Sequence, residues 1–116
     1  MSWLVDIHPD FVSEFERLSR DVQKELFVKV KFLEEFGPTL GRPHADTLVG
    51  SKHANMKELR FNVDDGVWRV AFAFDPQRQA ILLVAGDKSG ISQKKFYKSL
   101  IKTADTRFDA HLKEGE

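Results

Sequence analysis

The sequence predicts a single α+β domain in which an antiparallel sheet packs against an N-terminal helical hairpin and a C-terminal helix. Three observations carry this. Apolar residues recur with the helical period in two stretches between Pro9 and Gly37, they alternate with the strand period between Glu58 and Ala85, and the helical period returns after Ser92. A chain of 116 residues suits one domain spanning 1–116. With 41% hydrophobic residues and ten phenylalanines spread along it, a packed core is expected.

Trp3, Val5 and Ile7 alternate with Leu4, Asp6 and His8, which predicts a half-buried first strand. Pro9 suits the first position of a helix, Asp10 adds favourable charge there, and Phe11, Phe15 and Leu18 form its apolar face. Asp21 is the expected cap of a second helix, in which Val22, Leu26, Val30 and Leu33 share one side until Gly37-Pro38 stops it. From Thr39 to Asn55 no period is visible, so an irregular connection is expected, a kind of segment that often carries function.

Leu59, Phe61 and Val63 oppose Glu58, Arg60 and Asn62, and after Asp64-Asp65-Gly66 the alternation resumes through Trp68, Val70, Phe72 and Phe74. A second turn at Asp75–Gln79 leads to Ala80–Ala85, apolar on both sides like a well-buried strand. Ser92 then caps a last helix with Phe96, Leu100, Ala104 and Phe108 on one stripe and a cationic opposite face. The predicted order is β-α-α-β-β-β-α.

Composition excludes several functions. There is no cysteine, so disulfides, thiolate metal sites and cysteine nucleophiles are out, and a reducing, cytoplasmic setting is expected. His8, His44, His53 and His111 show no metal-ligand spacing, and no metal or cofactor is predicted. Neither a basic leader nor a membrane-spanning stretch is visible. Eighteen basic residues balance eighteen acidic ones, so any nucleic-acid role must rest on local segregation of charge. Phosphate-loop, dinucleotide and serine-hydrolase fingerprints are absent.

Arg60 and Arg69 are the sharpest chemical signal. Both fall on the polar face of the first hairpin, directly paired if Asp64-Asp65 is the turn and diagonal if Asp65-Gly66 is. Like charges placed so require an anion. Glu58, Asp75 or Asp87 can supply it as a surface network, or a bound phosphate can, for which the arginine fork is well shaped. Lys88, in a glycine-flanked turn after the most buried strand, is a further candidate. Lys94 and Lys95, with Lys98, Lys102 and Tyr97, offer either a phosphate-tracking surface or an ordinary solvated helix face. His53 stands just before the arginine strand, where an imidazole can move protons near neutrality.

The segments GRPHADTLVGSKHANMKELRF, VWRVAFAFDP, ILLVAGDKSG and TADTRFDAHL together resemble the HigB-like, phage Gp49-related branch of the RelE/ParE toxin superfamily. The resemblance implies a compact toxin of a type II toxin–antitoxin system, restrained by a helix-turn-helix antitoxin and acting as a metal-independent endoribonuclease on messenger RNA at the ribosome. In the implied reaction the substrate's 2′-hydroxyl attacks the adjacent phosphate and the 5′-oxygen leaves. Arg69 matches the arginine that contacts the scissile phosphate, Arg60 the basic end of the preceding strand, Lys88 a basic position after the last strand, and Tyr97 a stacking tyrosine. Lys57, Lys94 and Lys95 are expected to contact RNA or ribosome.

Two lysines of the RelE-type strand are replaced here by Met56 and Glu58, while Lys57 faces the other way. His53 or Lys88 is the expected substitute in proton transfer. An arginine on a developing charge is worth ~3 to 4 kcal/mol, so Arg69→Ala is expected to lose roughly a hundredfold in rate with the fold kept. The rival implication within the superfamily is a ParE-like gyrase poison, for which Arg60, Arg69 and Lys88 would be interface residues. Another is a degenerate toxin that only binds its antitoxin.

Overall fold

The computed structural model describes residues 2–115. Nine elements follow in order: β1 (Val5–Ile7), α1 (Pro9–Arg17), α2 (Arg20–Phe36), a short 3-10 turn (Gly37–Thr39), β2 (Ala45–Thr47), β3 (Lys57–Val63), β4 (Gly66–Phe74), β5 (Ala80–Asp87) and α3 (Gln93–Glu114). The sheet order is β1-β5-β4-β3-β2. α1 and α2 cover one face and α3 the other, giving three layers and two cores. Phe11, Leu26, Leu33, Leu59, Phe72 and Leu82 fill the first. Met56, Ala71, Ile81, Leu83, Leu100 and Phe108 fill the second. Strands buried on both faces lose their alternation, which is why Ala80–Ala85 reads as one apolar run. No helix among the described residues is long and apolar enough to cross a membrane.

Three expectations are corrected. The sheet is mixed rather than antiparallel, because β1 pairs parallel with β5 (Val5 with Ala80, Ile7 with Leu82). A two-residue period fixes which face is buried and carries no information on strand direction. The stretch taken as irregular contains β2, which pairs antiparallel with β3 through only three residues, too few to display a period. The cap of α2 is Ser19, whose Oγ accepts a bond from the Val22 amide at 3.2 Å, and Asp21 falls inside the first turn.

Other local signals translate directly. Pro9 opens α1 behind His8, whose Nδ1 accepts the Asp10 amide at 3.1 Å. Ser92 caps α3 through the Lys95 amide at 3.3 Å. Asp64-Asp65 is the hairpin turn, with Val63 opposite Gly66 and Asp64 at φ 53°. In β5 an extra residue, Leu83, interrupts the pairing between Ala71–Val84 and Phe72–Leu82. Leu83 and Val84 both face the α3 core across this bulge, and the pairing beyond it shifts by one residue, so that Gly86 and not Ala85 stands opposite Arg69.

Gly37 ends α2 at φ 56°, and a Cβ there would lie 2.4 Å from the Trp3 ring. The position therefore needs both the left-handed backbone freedom and the missing side chain of glycine. Gly37→Ala is predicted to lower the unfolding free energy by about 2 kcal/mol or more, from backbone strain and displacement of Trp3. The midpoint of urea unfolding reads this directly.

Candidate active site

The β3–β4 register places Arg60 directly opposite Arg69 on the face covered by α3. Their counter-charge is Glu58, two residues earlier on the same face of β3. Its side chain is only 4% exposed. Arg60 donates to its Oε2 at 2.6 Å, and Tyr97 donates its hydroxyl to Oε1 at 2.8 Å. Arg69 donates through Nε to the Tyr97 oxygen at 3.3 Å and through NH1 to the Trp68 carbonyl at 2.8 Å, with Nε 3.7 Å from Glu58 Oε1. Every polar atom of this cluster that is sealed from solvent has a partner. The counter-anion is thus one of the three carboxylates the sequence offered, in a buried network and not a solvated one.

Tyr97 reaches this point because Gly86, opposite Arg69 in β5, has no side chain. A Cβ there would stand 2.8 Å from the Phe96 ring. The start of α3 consequently lies close on the sheet, and Phe96 enters the core while its neighbour Tyr97 turns to the arginines. Burial, and next the bond to Glu58, pushes the Tyr97 hydroxyl above its ordinary value, so it keeps its proton.

In front of the network lies an open cleft of about 350 Å³, whose walls include Arg42, Asp46, Glu58, Arg60, Lys88 and Tyr97. Asp87 fixes the turn that carries Lys88, accepting bonds at 2.9 Å from the Val67 and Ser89 amides and at 2.7 Å from the Ser89 hydroxyl. The Lys88 amide in turn reaches the Val67 carbonyl at 2.8 Å. Its ammonium sits 5.7 Å from the Tyr97 ring centroid. Burial and then the charges of Arg69 and Arg60 hold the Lys88 amine below the usual lysine range. Four cations, Arg42, Arg60, Arg69 and Lys88, meet two carboxylates, Asp46 and Glu58, so the site has a positive excess suited to an anion.

The remaining sequence-derived residues lie elsewhere. His53 is not at the cleft: its Nε2 pairs with Asp109 at 2.8 Å and its ring meets Phe108 edge-on. Asp109 is twelve residues beyond Tyr97 on α3, roughly 18 Å along the helix axis. Lys57 points to the opposite face and donates to the Pro38 carbonyl at 3.2 Å. Lys94 and Lys95 are exposed on the first turn of α3, which holds no acidic residue, beside the cleft and not within it. Met56, where a lysine was missed, is fully buried in the second core. Sequence reasoning overlooked Arg42, which sits in the aperiodic stretch. Its one signal is Asp46 four residues on, with which it pairs at 2.9 Å. Among the described residues no group of three or more histidines or carboxylates is arranged to hold a metal ion.

Residues 13–109 match the family described as Phage derived protein Gp49-like. The chain belongs to that family. Within curated proteins it is 46% identical over 98 residues to a Mycobacterium tuberculosis protein named as the toxin HigB3, covering 84% of this chain and 83% of that one. It is also 46% identical over 100 residues to one named as the toxin HigB2 of the same organism, covering 85% of this chain. That match spans about half, 49%, of HigB2. In fold, the family member described here is similar to an E. coli toxin RelE double mutant in the free state (TM-score 0.60, 14% identity, 88% and 96% of the two chains). It is similar too to an archaeal RelE–RelB complex from Pyrococcus horikoshii (TM-score 0.56, 16% identity, 78% and 99%). At such identities the likeness is one of fold, and the RelE-like α+β architecture expected from sequence is the one observed.

Burial of Arg69, 5% exposed, changes what its replacement tests. Removing one partner of a buried charge network strands the other, at about 3–5 kcal/mol. Arg69→Ala is therefore predicted to destabilise the fold by that order, and Arg69→Ala combined with Glu58→Gln by less than the sum of the two singles, because the glutamine oxygen can still accept from Arg60. Urea unfolding of the two singles and the double gives the coupling; additive effects would mean that Arg69 and Glu58 do not support each other.

Proposed function

We propose that this chain is the toxin of a toxin–antitoxin pair and an endoribonuclease that cuts messenger RNA on the ribosome without a metal, held in check in the cytoplasm by a helix-turn-helix antitoxin. The observation that carries this reading is the cleft itself: a positive opening that contains two carboxylates, one tyrosine hydroxyl and one lysine of lowered basicity around a paired-arginine floor. The names of the two mycobacterial relatives support the toxin assignment.

Free of RNA, Arg60 is held by Glu58 Oε2. An incoming phosphodiester offers Arg60 two oxygens in place of one, a better match to its fork. As Arg60 turns to the phosphate, Oε2 is uncovered. The substrate 2′-hydroxyl then gives its proton to the Glu58 carboxylate while its oxygen bonds to phosphorus. Arg60 and Arg42 balance the charge that gathers on the non-bridging oxygens. The bond from phosphorus to the 5′-oxygen breaks, and Lys88 supplies the proton that the departing oxygen requires. The products are a 2′,3′-cyclic phosphate and a free 5′-hydroxyl. Arg69 and Tyr97 keep Glu58 oriented from below, and His53, in the loop between β2 and β3 where it pairs with Asp109, takes no part.

Mapping 5′ ends of cellular messenger RNA after induction tests the class. Cuts within reading frames, lost when translation is blocked and reduced roughly a hundredfold or more by Arg60→Ala or Glu58→Gln, are expected. Growth arrest with intact messenger RNA and accumulated cleaved DNA would replace this reading with a gyrase poison. Purified Glu58→Gln is expected to bind RNA at least as well as the parent, since it frees Arg60 while removing the base.

The acid must be protonated, so activity should fall as pH rises through the lowered Lys88 value, below the ordinary 10.5. The residual cleavage of Lys88→Arg should show no such descending limb, because a guanidinium stays protonated throughout. An unchanged limb would remove Lys88 from the proton-donating role.

A further inference from the structure

One segment lies outside the mechanism above yet is held with unusual firmness. Between β2 and β3 the chain runs Leu48 to Met56 and closes on itself through the Leu48 amide and Met56 carbonyl at 2.9 Å. Side chains of α3 clamp it from outside. Asp105 accepts bonds from the Ser51 hydroxyl at 2.5 Å and the Lys52 amide at 3.1 Å. Asp109 takes the His53 ring and the Lys52 ammonium. The Ser51 oxygen also accepts the His53 amide at 2.9 Å. Such a network fixes the loop in one shape.

At the start of this clamped loop stands Val49, which is 88% exposed and lines the cleft that holds Arg60 and Lys88. Single exposed apolar side chains are ordinary on protein surfaces. Val49 differs in its setting. Its neighbour Leu48 also lines the cleft but is buried, so Val49 is the bare apolar side chain on a rim whose other members are polar, charged or aromatic, and the loop that carries it is clamped to α3. Gln93, whose amide can both donate and accept, lines the same cleft.

We propose that Val49 and Gln93 form a nucleobase subsite: the flat face of a base packs on Val49 and its polar edge meets the Gln93 amide, while the adjoining phosphate sits at Arg60 and Lys88. The ligand class is single-stranded RNA, whose unstacked bases present both a face and an edge. The subsite deepens the ribonuclease reading and rests on it for the placement of the phosphate. It also gives Asp105, Asp109 and His53 a use as positioning residues, because they hold the loop that presents Val49.

The test uses the full chain and four short oligoribonucleotides made uncleavable by 2′-O-methyl groups, differing only in one base. The parent is expected to separate the best from the worst of the four by about fivefold or more in Kd. Val49→Ser and Gln93→Ala, both surface changes, should each shrink that spread, and the same two variants should alter the base distribution at mapped cut sites. A parent that binds all four equally, or variants that keep its full spread, would overturn the subsite. Binding is read without cleavage, so a chain that discriminates bases but cuts no RNA sinks the ribonuclease reading alone. One that cuts RNA with the same base distribution in all three forms sinks the subsite alone.

Discussion

The structure turns on one electrostatic constraint: two arginines stand directly opposite each other in adjacent strands, and a buried carboxylate must lie between them. Arg60 and Arg69 at paired positions would repel one another in a sheet. Glu58 resolves this by contacting both, and Tyr97 completes the set by bonding to Glu58 and accepting from Arg69. Several unrelated features serve this arrangement. The two-residue turn at Asp64-Asp65 sets the pairing. The bare Gly86 admits the start of α3. The Leu83 bulge shifts the pairing of β5 by one residue, which sets Gly86 opposite Arg69. A shift in any of these would leave a charge buried without its partner, which is far more costly than losing an apolar contact.

The ends of α3 divide the labour of the molecule. Its first turns supply Phe96 and Tyr97 to the core and the cleft. Its later turns are tied down at several points. Arg107 grips Glu14 of α1 at 2.6 and 2.8 Å and the Leu83 carbonyl at 2.8 Å. His111 pairs with Asp75 at 2.8 Å, and Asp105 and Asp109 clamp the loop. Arg107 holds Glu14 below the ordinary carboxylate range, first through their hydrogen bond. A helix fixed so firmly at its far end can present Tyr97 against a buried charge with little freedom to drift, which is what a preorganised site requires.

Long periodic segments were legible in the sequence because period and burial are the same fact. Both helices of the hairpin, α3, and the strands from β3 to β5 follow from spacing alone. What escaped was set by tertiary context. The direction of β1 depends on where the sheet has a vacant edge, β2 is too short for a period, and the α2 cap was assigned to Asp21 when Ser19 stood nearer the start. In the site, the facing arginines were legible because a hairpin turn determines their pairing. Glu58 was legible as one of three possible counter-ions, yet its burial was not, since that depends on α3 folding over it. His53 misled because nearness in sequence to β3 does not imply nearness in space to Arg60. The loop carrying it turns toward Asp109 instead. Arg42 lay in a stretch where no pattern existed to single it out.

On the proposed function, a carboxylate at position 58, where the resemblance to RelE-type strands implies a lysine, changes how such a cleft would meet RNA. A row of bare cations would attract phosphate strongly and without regard to reaction. Here Arg60 is already paired with Glu58, so in the proposed reaction RNA binding is an exchange in which that contact is given up for one between Arg60 and phosphate. Ground-state binding gains little from that exchange. In that proposal the gain comes when the freed carboxylate accepts the proton and Arg60 faces the extra negative charge on the reacting phosphate, two interactions that strengthen only as the reaction proceeds. Interactions of that kind raise the rate and not merely the affinity. They also tie cleavage to a correctly seated phosphodiester, because an anion too small or too distant to draw Arg60 away leaves Glu58 covered.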